Sequence, residues 1–248
     1  MSDAAIMRID NVTKAFTRGG ETITVLSNLN LAVAPGEFLG IMGPSGSGKT
    51  TLLNLIAGLD KPNRGEVWIG GQCVSRMSEA QLASWRTRNI GFIFQFYHLL
   101  PVLTAYENVE LPLLLLPISS AKRKEQVLNA LDLVGLSERM YHRPGQLSGG
   151  QQQRVGIARA IVTDPTLIVA DEPTGDLDAQ SAIDIMNLLC ELQKGLNKTI
   201  LLVTHDPRAA ERAQRVVHLQ KGQLIESPVV AKPLIPTTAS DGRFTQTP

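Results

Sequence analysis

Short, partly alternating apolar segments make up the first part of the chain. Residues 6–9, 23–26 and 29–33 follow this pattern and are separated by glycine and polar residues, which predicts β-strands joined by turns. The segment Phe38–Met42 is apolar throughout and runs directly into a glycine-rich stretch, a pattern typical of a strand buried in a sheet. Residues 49–57 then predict a helix that ends at a glycine.

Two further pairs of strand-like segments flank glycine-containing turns, a pattern typical of β-hairpins. These pairs are 66–69 with 72–74 around Gly70-Gly71, and 216–219 with 223–225 around Lys221-Gly222. Apolar runs at 167–170 and 200–204 predict two more strands. Residues 179–193, which lie between them, have apolar positions at helical spacing and predict a helix.

From about residue 100 to residue 165, helical patterns replace the strand patterns. Residues 121–134 carry apolar positions at helical spacing behind a charged run, which we interpret as a solvated face. Ser148 fits the N-cap of a helix that extends to Val162. The order of elements predicts an α/β protein with a helical insertion. Residues 228–248, rich in proline and threonine, are predicted to form a loosely ordered tail.

Composition narrows the class of protein. Hydrophobic residues make up 43% of the 248 residues and aromatic residues only 4%, so we expect an aliphatic core, as in a parallel sheet covered by helices. Lysine and arginine total 24 against 23 acidic residues, and this balance gives no support to a nucleic-acid partner. Cys73 and Cys190 lie far apart without metal-ligand spacing and are interpreted as buried thiols.

The sequence offers no candidate for a membrane span. The strongest apolar run, residues 111–118, is interrupted by Pro112 and Pro117 and falls short of the ~20 residues that a spanning helix needs. The first residues lack the basic and apolar regions of a signal peptide. If the protein works at a membrane, we therefore expect another chain to hold it there.

A glycine-rich segment between a predicted strand and a predicted helix fits the phosphate-binding pattern G-x-x-x-x-G-K-[ST]. It consists of Gly43, Pro44, Ser45, Gly46, Ser47, Gly48, Lys49 and Thr50. Glycines let the backbone wrap around phosphate oxygens, and the helix N-terminus favours anions. We expect Lys49 to neutralise the β- and γ-phosphates of ATP, Thr50 to bind Mg²⁺, and Thr51 to belong to the same site. A plain glycine-rich turn is the alternative, and the flanking strand and helix disfavour it.

Two acidic residues and a histidine follow other predicted strands. Asp171 comes directly after an apolar run, where it can bind Mg²⁺ through water, and Glu172 could polarise the attacking water as a general base. A pair of surface acids at a strand end is the alternative. His205 follows the strand at 200–204, at the edge where open α/β sheets bind ligands, which favours contact with the γ-phosphate over a structural role.

The order of these motifs resembles that of the ATP-binding-cassette (ABC) ATPases. The motifs are the loop at 43–50, Gln95 after residues 90–94, Leu147-Ser148-Gly149-Gly150-Gln151, Asp171-Glu172, Gly175-Asp176-Leu177-Asp178 and His205. The resemblance covers about residues 5–226. It implies a P-loop NTPase core of the RecA-like α/β type, with an N-terminal antiparallel β-subdomain and an inserted α-helical subdomain. No motif is degenerate, so ATP hydrolysis is expected.

The same resemblance divides the chain. It places an ABC ATPase domain at 1–227, with the core and β-subdomain at about 1–95 and 163–227. The helical subdomain is expected at about 96–162, and 228–248 remains as the tail.

Several roles rest on the resemblance. Gln95 is expected to join the Mg²⁺ and attacking-water site to the surface that meets a membrane subunit. The family stacks an aromatic ring on adenine where this chain has Phe16. The alternative interpretation is that Phe16 is an ordinary core residue of a strand. His205 would sense the γ-phosphate, and Asp178 would lie at a dimer seam.

The segment around Ser148 implies a second copy of the chain. The resemblance assigns the γ-phosphate of the opposite subunit's ATP to Ser148, Gly149, Gly150 and Gln151. The residues themselves combine a hydroxyl, two glycines and a helix start, which can present donors to an anion. Since Ser148 belongs to the helical insertion, away from the phosphate loop, we expect a twofold dimer that shares two ATP molecules.

The stretch 91–112 and Gly175-Asp176-Leu177-Asp178 resemble the lipoprotein-releasing, macrolide-exporting and cell-division branch of the family. This likeness implies a peripheral ATPase at the cytoplasmic face of the inner membrane that drives a separate membrane permease for export or extraction. Two alternatives remain open: regulation of a cell-wall type membrane complex, and an uptake transporter. A cassette protein of DNA repair or translation is disfavoured, because each motif occurs once and no long coiled coil is evident.

Overall fold

Two sheets of different construction organise residues 5–226, which are the residues that the computed structural model describes. The strands are β1 Met7–Arg18, β2 Glu21–Val33, β3 Phe38–Met42, β4 Arg64–Ile69, β5 Gln72–Cys73, β6 Ile90–Phe94, β7 Leu167–Asp171, β8 Ile200–Thr204, β9 Arg215–Gln220 and β10 Gln223–Glu226. One sheet has the order β2-β1-β4-β5 and is antiparallel. The other has the order β10-β9-β3-β8-β7-β6, in which β10 alone is antiparallel to its neighbour.

Helices cover both faces of the six-stranded sheet. They are α1 Lys49–Ile56, α2 Glu79–Asn89, α3 Ala105–Glu110, α4 Ser120–Leu133, α5 Gly149–Ile161, α6 Ala179–Leu196 and the short α7 Pro207–Ala210. Single 3-10 turns occur at Val74–Arg76, Leu111–Leu115, Ser137–Arg139 and Pro144–Gln146. No helix within residues 5–226 is long and apolar enough to span a bilayer.

The core consists of two apolar clusters separated by the six-stranded sheet. Leu39 and Ile41 of β3 point to the cluster that contains α1 and the antiparallel sheet, whereas Phe38 points to the cluster that contains α3 to α6. The strands are buried on both faces, as expected for parallel strands covered by helices. Each fully buried aliphatic side chain contributes about 1.5–3 kcal/mol through its removal from water. The sheet edge from which the phosphate loop emerges is therefore rigidly supported.

The first forty residues differ from the prediction in one respect. Three short strands were expected, but the chain forms two long strands, β1 and β2, joined in one hairpin. The pairing register shifts between Ile9 and Val12 and again before Ala15, and Asn11 and Asn28 have positive φ angles. These bulges interrupt the apolar alternation, so a continuous strand has the pattern of several short ones.

Helix α2 was not predicted. It is mostly polar, with Leu82 and Trp85 as its buried residues, and therefore has little apolar periodicity. Its start was nevertheless encoded, since Ser78 and Gln81 form a capping box in which each side chain bonds the other's backbone N–H. The helices that were predicted are present with small changes of length, and α6 extends beyond residue 193 to Leu196.

Both predicted hairpins are present. The turn residues Gly70 and Gly71 both have positive φ, and so do Lys221 and Gly222, as two-residue hairpin turns require. The expectation for 228–248 concerns residues outside the described part of the chain, and the division into subdomains remains a prediction.

Candidate nucleotide-binding site

The loop between β3 and α1 forms a tight backbone turn. Gly48 is the N-cap of α1 with φ 102°, a conformation that side chains other than glycine rarely adopt. A Cβ on Gly48 would lie 2.7 Å from Leu26 Cδ2, and one on Gly43 would collide with the carbonyl oxygen of Leu219. Glycine at both positions therefore lets the loop close against β2 and β9.

Lys49 is folded back onto this loop. Its Nζ donates to the carbonyl oxygens of Gly43, at 2.7 Å, and Pro44, at 3.0 Å. The hydroxyl of Ser47 is buried and has no hydrogen-bond partner within residues 5–226. The loop thus holds a cation and an unpaired hydroxyl group where the sequence predicts phosphate.

A polar cleft of about 430 Å³ opens beside the loop. It is lined by Val25, Ser45, Gly46, Gly48, Lys49, Thr50, Thr51, Gln95, Asp171 and Glu172. The strands β3, β8, β7 and β6 run parallel, so the residues after their carboxyl ends meet at one edge of the sheet. A larger hollow of about 540 Å³ lies over α2, next to Met77 and Trp85, and contains no predicted site residue.

The two acidic residues have different surroundings. Burial raises the pKa of Asp171, the neighbouring charge of Glu172 raises it further, and Lys49 partly opposes both effects. Glu172 has φ 49°, in the left-handed region that non-glycine residues seldom occupy. Its Oε2 accepts a hydrogen bond from Thr204 Oγ1 at 3.1 Å. A strained backbone at this position is typical of functional sites.

His205 contacts Glu172 directly. Its Nδ1 lies 2.7 Å from Glu172 Oε1, and its backbone N–H donates to Oε2 at 3.4 Å. The imidazole is 71% exposed, so its other ring nitrogen is open to solvent. Glu172 and His205, which the sequence predicts separately as general base and γ-phosphate contact, thus lie together with the histidine against the carboxylate.

Gln95 lines the cleft and also meets the loop after Glu172. A Cβ on Gly175 would lie 2.9 Å from Gln95 Nε2, so the two segments touch closely. Tyr97 Oη donates to the Asp176 carboxylate at 3.3 Å. Asp178 is exposed and caps α6, with its Oδ1 accepting from the backbone N–H groups of Gln180 and Ser181.

The segment 148–151 lies outside the cleft of its own chain. Ser148 is exposed and is the N-cap of α5, where its Oγ accepts from Gln151 N at 3.3 Å and Gln151 Oε1 accepts from Ser148 N at 3.0 Å. This confirms the predicted cap. Side chains at Gly149 and Gly150 would press on Tyr97 and Ser181, with Cβ distances of 3.0 Å to each hydroxyl oxygen.

Comparison with known proteins decides the family. The family described as ABC transporter matches residues 26–175. The chain belongs to the ABC transporter family. The lipoprotein-releasing system ATP-binding protein LolD of Psychrobacter arcticus is 47% identical over 220 residues, which are 88% of this chain and 97% of the relative. The LolD of Pseudomonas fluorescens is 46% identical, over 91% of this chain and 99% of the relative.

A longer relative and a solved ABC structure agree with this placement. The macrolide export ATP-binding/permease protein MacB 2 of Yersinia pestis is 46% identical over 89% of this chain, which corresponds to 32% of that protein. The ATP-binding cassette MJ0796, solved as a dimer in a post-hydrolysis state with ADP and Pi, has a TM-score of 0.80 and 43% identity, covering 89% of this chain and 98% of that one. The predicted fold and the predicted class of ATP-hydrolysing ABC subunit are confirmed, and the regulatory and uptake alternatives are not favoured.

Phe16 is placed on the exposed part of the β1–β2 hairpin of this ABC subunit. Its side chain is 44% exposed, which rules out the alternative of a strand-core phenylalanine. Lys14 Nζ lies 4.9 Å from the ring centroid, and Phe16 is the strand partner of Ile23 in the hairpin register. Stacking of Phe16 on adenine remains a prediction.

Sequence reasoning missed two polar residues that contact the site. Thr204, 1% exposed at the end of β8, donates to Glu172, and Gln153 on α5 donates to the backbone on both sides of the cleft. The sequence feature that could have identified Gln153 is its spacing from apolar residues of the same helix. Gln153 lies four and eight residues before the buried Ile157 and Ile161, so it occupies an apolar face.

Proposed function

We propose that this chain is the ATP-hydrolysing subunit of an ABC export or extraction system and that it drives a separate membrane permease. The observation that carries the proposal is the cleft in which the phosphate loop, Gln95, Asp171 and Glu172 converge. Relatives named as lipoprotein-releasing and macrolide-export proteins support the direction of transport. The cargo would contact the permease rather than this subunit.

The phosphate loop binds ATP through its backbone and its lysine. Residues Gly43, Pro44, Ser45, Gly46, Ser47 and Gly48 surround the phosphates, and Thr51 supports them from α1. Lys49 exchanges its two loop carbonyls for the β- and γ-phosphates, since a phosphate is a stronger acceptor for an ammonium group. Phe16 supplies an exposed ring for the adenine.

The residues at the floor of the cleft fit Mg²⁺. Thr50 offers a hydroxyl, Asp171 a carboxylate and Gln95 an amide oxygen, and Mg²⁺ prefers such oxygen ligands together with water and phosphate. The raised pKa of Asp171 fits as well, because a nearby cation would stabilise the charged form that burial destabilises. When bound, Mg²⁺ neutralises charge on the phosphates.

Glu172 acts as the general base. Its carboxylate accepts a proton from the water that attacks the γ-phosphate, while Gln95 orients that water. Thr204 and His205 fix the carboxylate before ATP arrives. His205 then turns toward the γ-phosphate, which its exposed side chain permits.

Each ATP is completed by a second copy of the chain. Ser148, Gly149, Gly150 and Gln151 lie outside their own cleft, and Ser148 and Asp178 are exposed. In a twofold dimer the segment 148–151 reaches the γ-phosphate of the partner's ATP, and Asp178 lies at the dimer seam. ATP binding closes such a pair and loss of phosphate opens it, because each γ-phosphate is contacted from both sides.

The membrane permease docks beside Gln95. Large apolar side chains are exposed there at Phe96, Leu100, Val102, Leu114, Leu115 and Tyr141. Backbone hydrogen bonds join their segments, since Ala105 and Tyr106 donate to His142 and Met140. A patch of this kind marks an interaction surface. Docking at this patch would hold the subunit peripherally at the cytoplasmic face of the inner membrane.

Co-purification with the permease tests the proposal. The tagged chain, extracted from its own membranes in detergent, should retain a permease with a large extracytoplasmic domain, identified by mass spectrometry, and should hydrolyse Mg-ATP. Leu115→Ser, at a site 73% exposed, should lose the permease, whereas Ile225→Ser, 52% exposed on β10, should retain it. A partner from translation or DNA repair, or absence of ATP hydrolysis, would refute the proposal.

A further inference from the structure

A fully buried glutamine links α5 to both sides of the cleft. Gln153 is 0% exposed, and its Nε2 donates to the carbonyl oxygens of Phe94, at 3.1 Å, and Pro173, at 2.6 Å. Phe94 immediately precedes Gln95, and Pro173 immediately follows Glu172. One amide nitrogen thus holds the backbone next to the two residues that handle the attacking water.

The chemistry of this position requires an amide donor. Two carbonyl oxygens face the Gln153 amide, so its NH₂ group must point toward them, because an oxygen there would be repelled. Its Oε1 is buried without a donor within residues 5–226, which costs stability. An apolar side chain, like the neighbouring Ile157 and Ile161 on the same helical face, would avoid that cost but would leave the two carbonyl oxygens without this donor. Packing alone does not explain a glutamine here.

Helix α5 also holds the far end of the loop that carries Gln95. Arg159 donates to the carbonyl oxygens of Tyr97 and His98, each at 2.6 Å. Tyr97 and His98 have φ angles of 58° and 47°, in the left-handed region. Non-glycine residues keep such conformations only where their surroundings hold them. The loop from Phe94 to His98 is therefore fixed to α5 at both ends.

We propose that Gln153 is a positioning residue that sets the placement of Gln95 and Glu172 relative to α5. This inference rests on the proposed function. The N-cap of the same helix is Ser148, which serves the partner's ATP in the dimer. Five residues of helix span about 7.5 Å and move as a rigid unit. A contact made by Ser148 across the dimer is thereby transmitted through Gln153 to the water-activating residues of its own cleft.

The test is Gln153→Met, which keeps the side-chain length and removes both donors. We expect kcat for ATP to fall by about 10- to 100-fold, since a small misplacement of reacting groups has effects of this size. The KM for ATP should stay near that of the unaltered protein, because Lys49 and the phosphate loop are untouched. In the Glu172→Gln background, the Gln153→Met chain should still form the ATP-dependent dimer.

Gln193→Met is the matched control. Gln193 is also buried, at 8% exposure, and its Nε2 also donates to a carbonyl oxygen at 2.6 Å, that of Gly36, away from the cleft. Its variant should lose thermal stability and keep kcat. Gln153→Asn, which retains the amide on a shorter side chain, should also reduce kcat without a change in KM. If Gln153→Met does not fold, the kcat of Gln153→Asn tests the positioning role.

The outcomes separate this inference from the proposed function. If the unaltered chain hydrolyses no ATP, the proposed function fails, and the inference fails with it. If the unaltered chain is active and the Gln153 variants keep its kcat, or if Gln193→Met loses kcat equally, only the positioning role is refuted.

Discussion

Replacing Glu172 with glutamine gives the sharpest test of the proposed site. The carboxylate accepts from Thr204 Oγ1 at 3.1 Å and lies 2.7 Å from His205 Nδ1. Glutamine has the same size and keeps one acceptor oxygen, and its NH₂ can donate to the Thr204 hydroxyl oxygen instead. The fold should therefore survive, and the change removes the charge, the proton acceptor and the long 3.4 Å hydrogen bond from the His205 backbone N–H.

The size of the effect follows from the role of a general base. Proton transfer to a positioned side chain contributes about 10²–10⁴-fold to a rate. At about 1.4 kcal/mol for each tenfold change, the loss is about 3–6 kcal/mol of transition-state stabilisation. ATP binding loses nothing, since Lys49 and the phosphate loop remain. The Glu172→Gln chain should hence retain ATP at both shared sites and persist as a closed dimer.

Two measurements check this prediction. Phosphate release reports turnover, and size-exclusion chromatography with light scattering reports the dimer in the presence of Mg-ATP. Glu191→Gln, an exposed position on α6, is the control and should behave as the unaltered chain. A Glu172→Gln chain that stayed monomeric with ATP and hydrolysed it at the normal rate would refute both the base and the shared site.

Three further changes probe the cleft. Lys49→Ala should weaken ATP binding by about 2–5 kcal/mol, the typical loss for a hydrogen-bonded charge pair, in a titration with a fluorescent ATP analogue. Gly48→Ala combines strain at φ 102° with a 2.7 Å contact, and the strain alone should destabilise the chain by about 1–3 kcal/mol in urea unfolding. Gly46→Ala has strain at φ 75° but meets nothing within 4 Å, so it should destabilise the chain less. Asp171→Asn should raise the melting temperature without nucleotide at pH 7. Burial raises the pKa of Asp171 in the folded state. The stability that protonated Asp171 contributes is therefore present below the unfolded-state pKa and is lost as pH rises through the folded-state pKa. The stability gained by Asp171→Asn should hence vanish at about pH 3.

Local chemistry made much of the fold predictable. The phosphate loop, the two glycine hairpins and the cap at Ser148 each depend on a few neighbouring residues, and each was predicted from them. Strands bounded by turns and buried on both faces, such as Phe38–Met42, were equally clear. These features share one property: the physical reason for them lies within the segment itself.

Features that depend on other segments were not predicted. The long strands β1 and β2 owe their continuity to pairing across bulges, and α2, apart from its local capping box, depends on two side chains buried against other segments. The contact between Glu172 and His205 joins residues 33 positions apart. The motifs indicated that both belong to one site, but only the sheet order brings them to 2.7 Å.

Polar residues in an apolar helical phase are the signal that sequence reasoning could have used. Gln153 occupies such a phase on α5, and so does Asn108, which lies on α3 three residues after the buried Ala105. Asn108 is fully buried, accepts from the backbone N–H of Leu100 and donates to its carbonyl oxygen. Both amides therefore bond backbone groups that lie outside their own helices.

This pattern explains how one helix can serve two ATP sites. Ser148 at the start of α5 faces outward toward a partner, while Gln153, less than two turns later, faces inward to the backbone beside Gln95 and Glu172. A helix is stiff over that distance, so neither end can shift without the other. If the proposed roles hold, closure of the dimer at Ser148 alters or fixes the residues proposed to activate water in the same chain, which would link hydrolysis to the closed state without any further element.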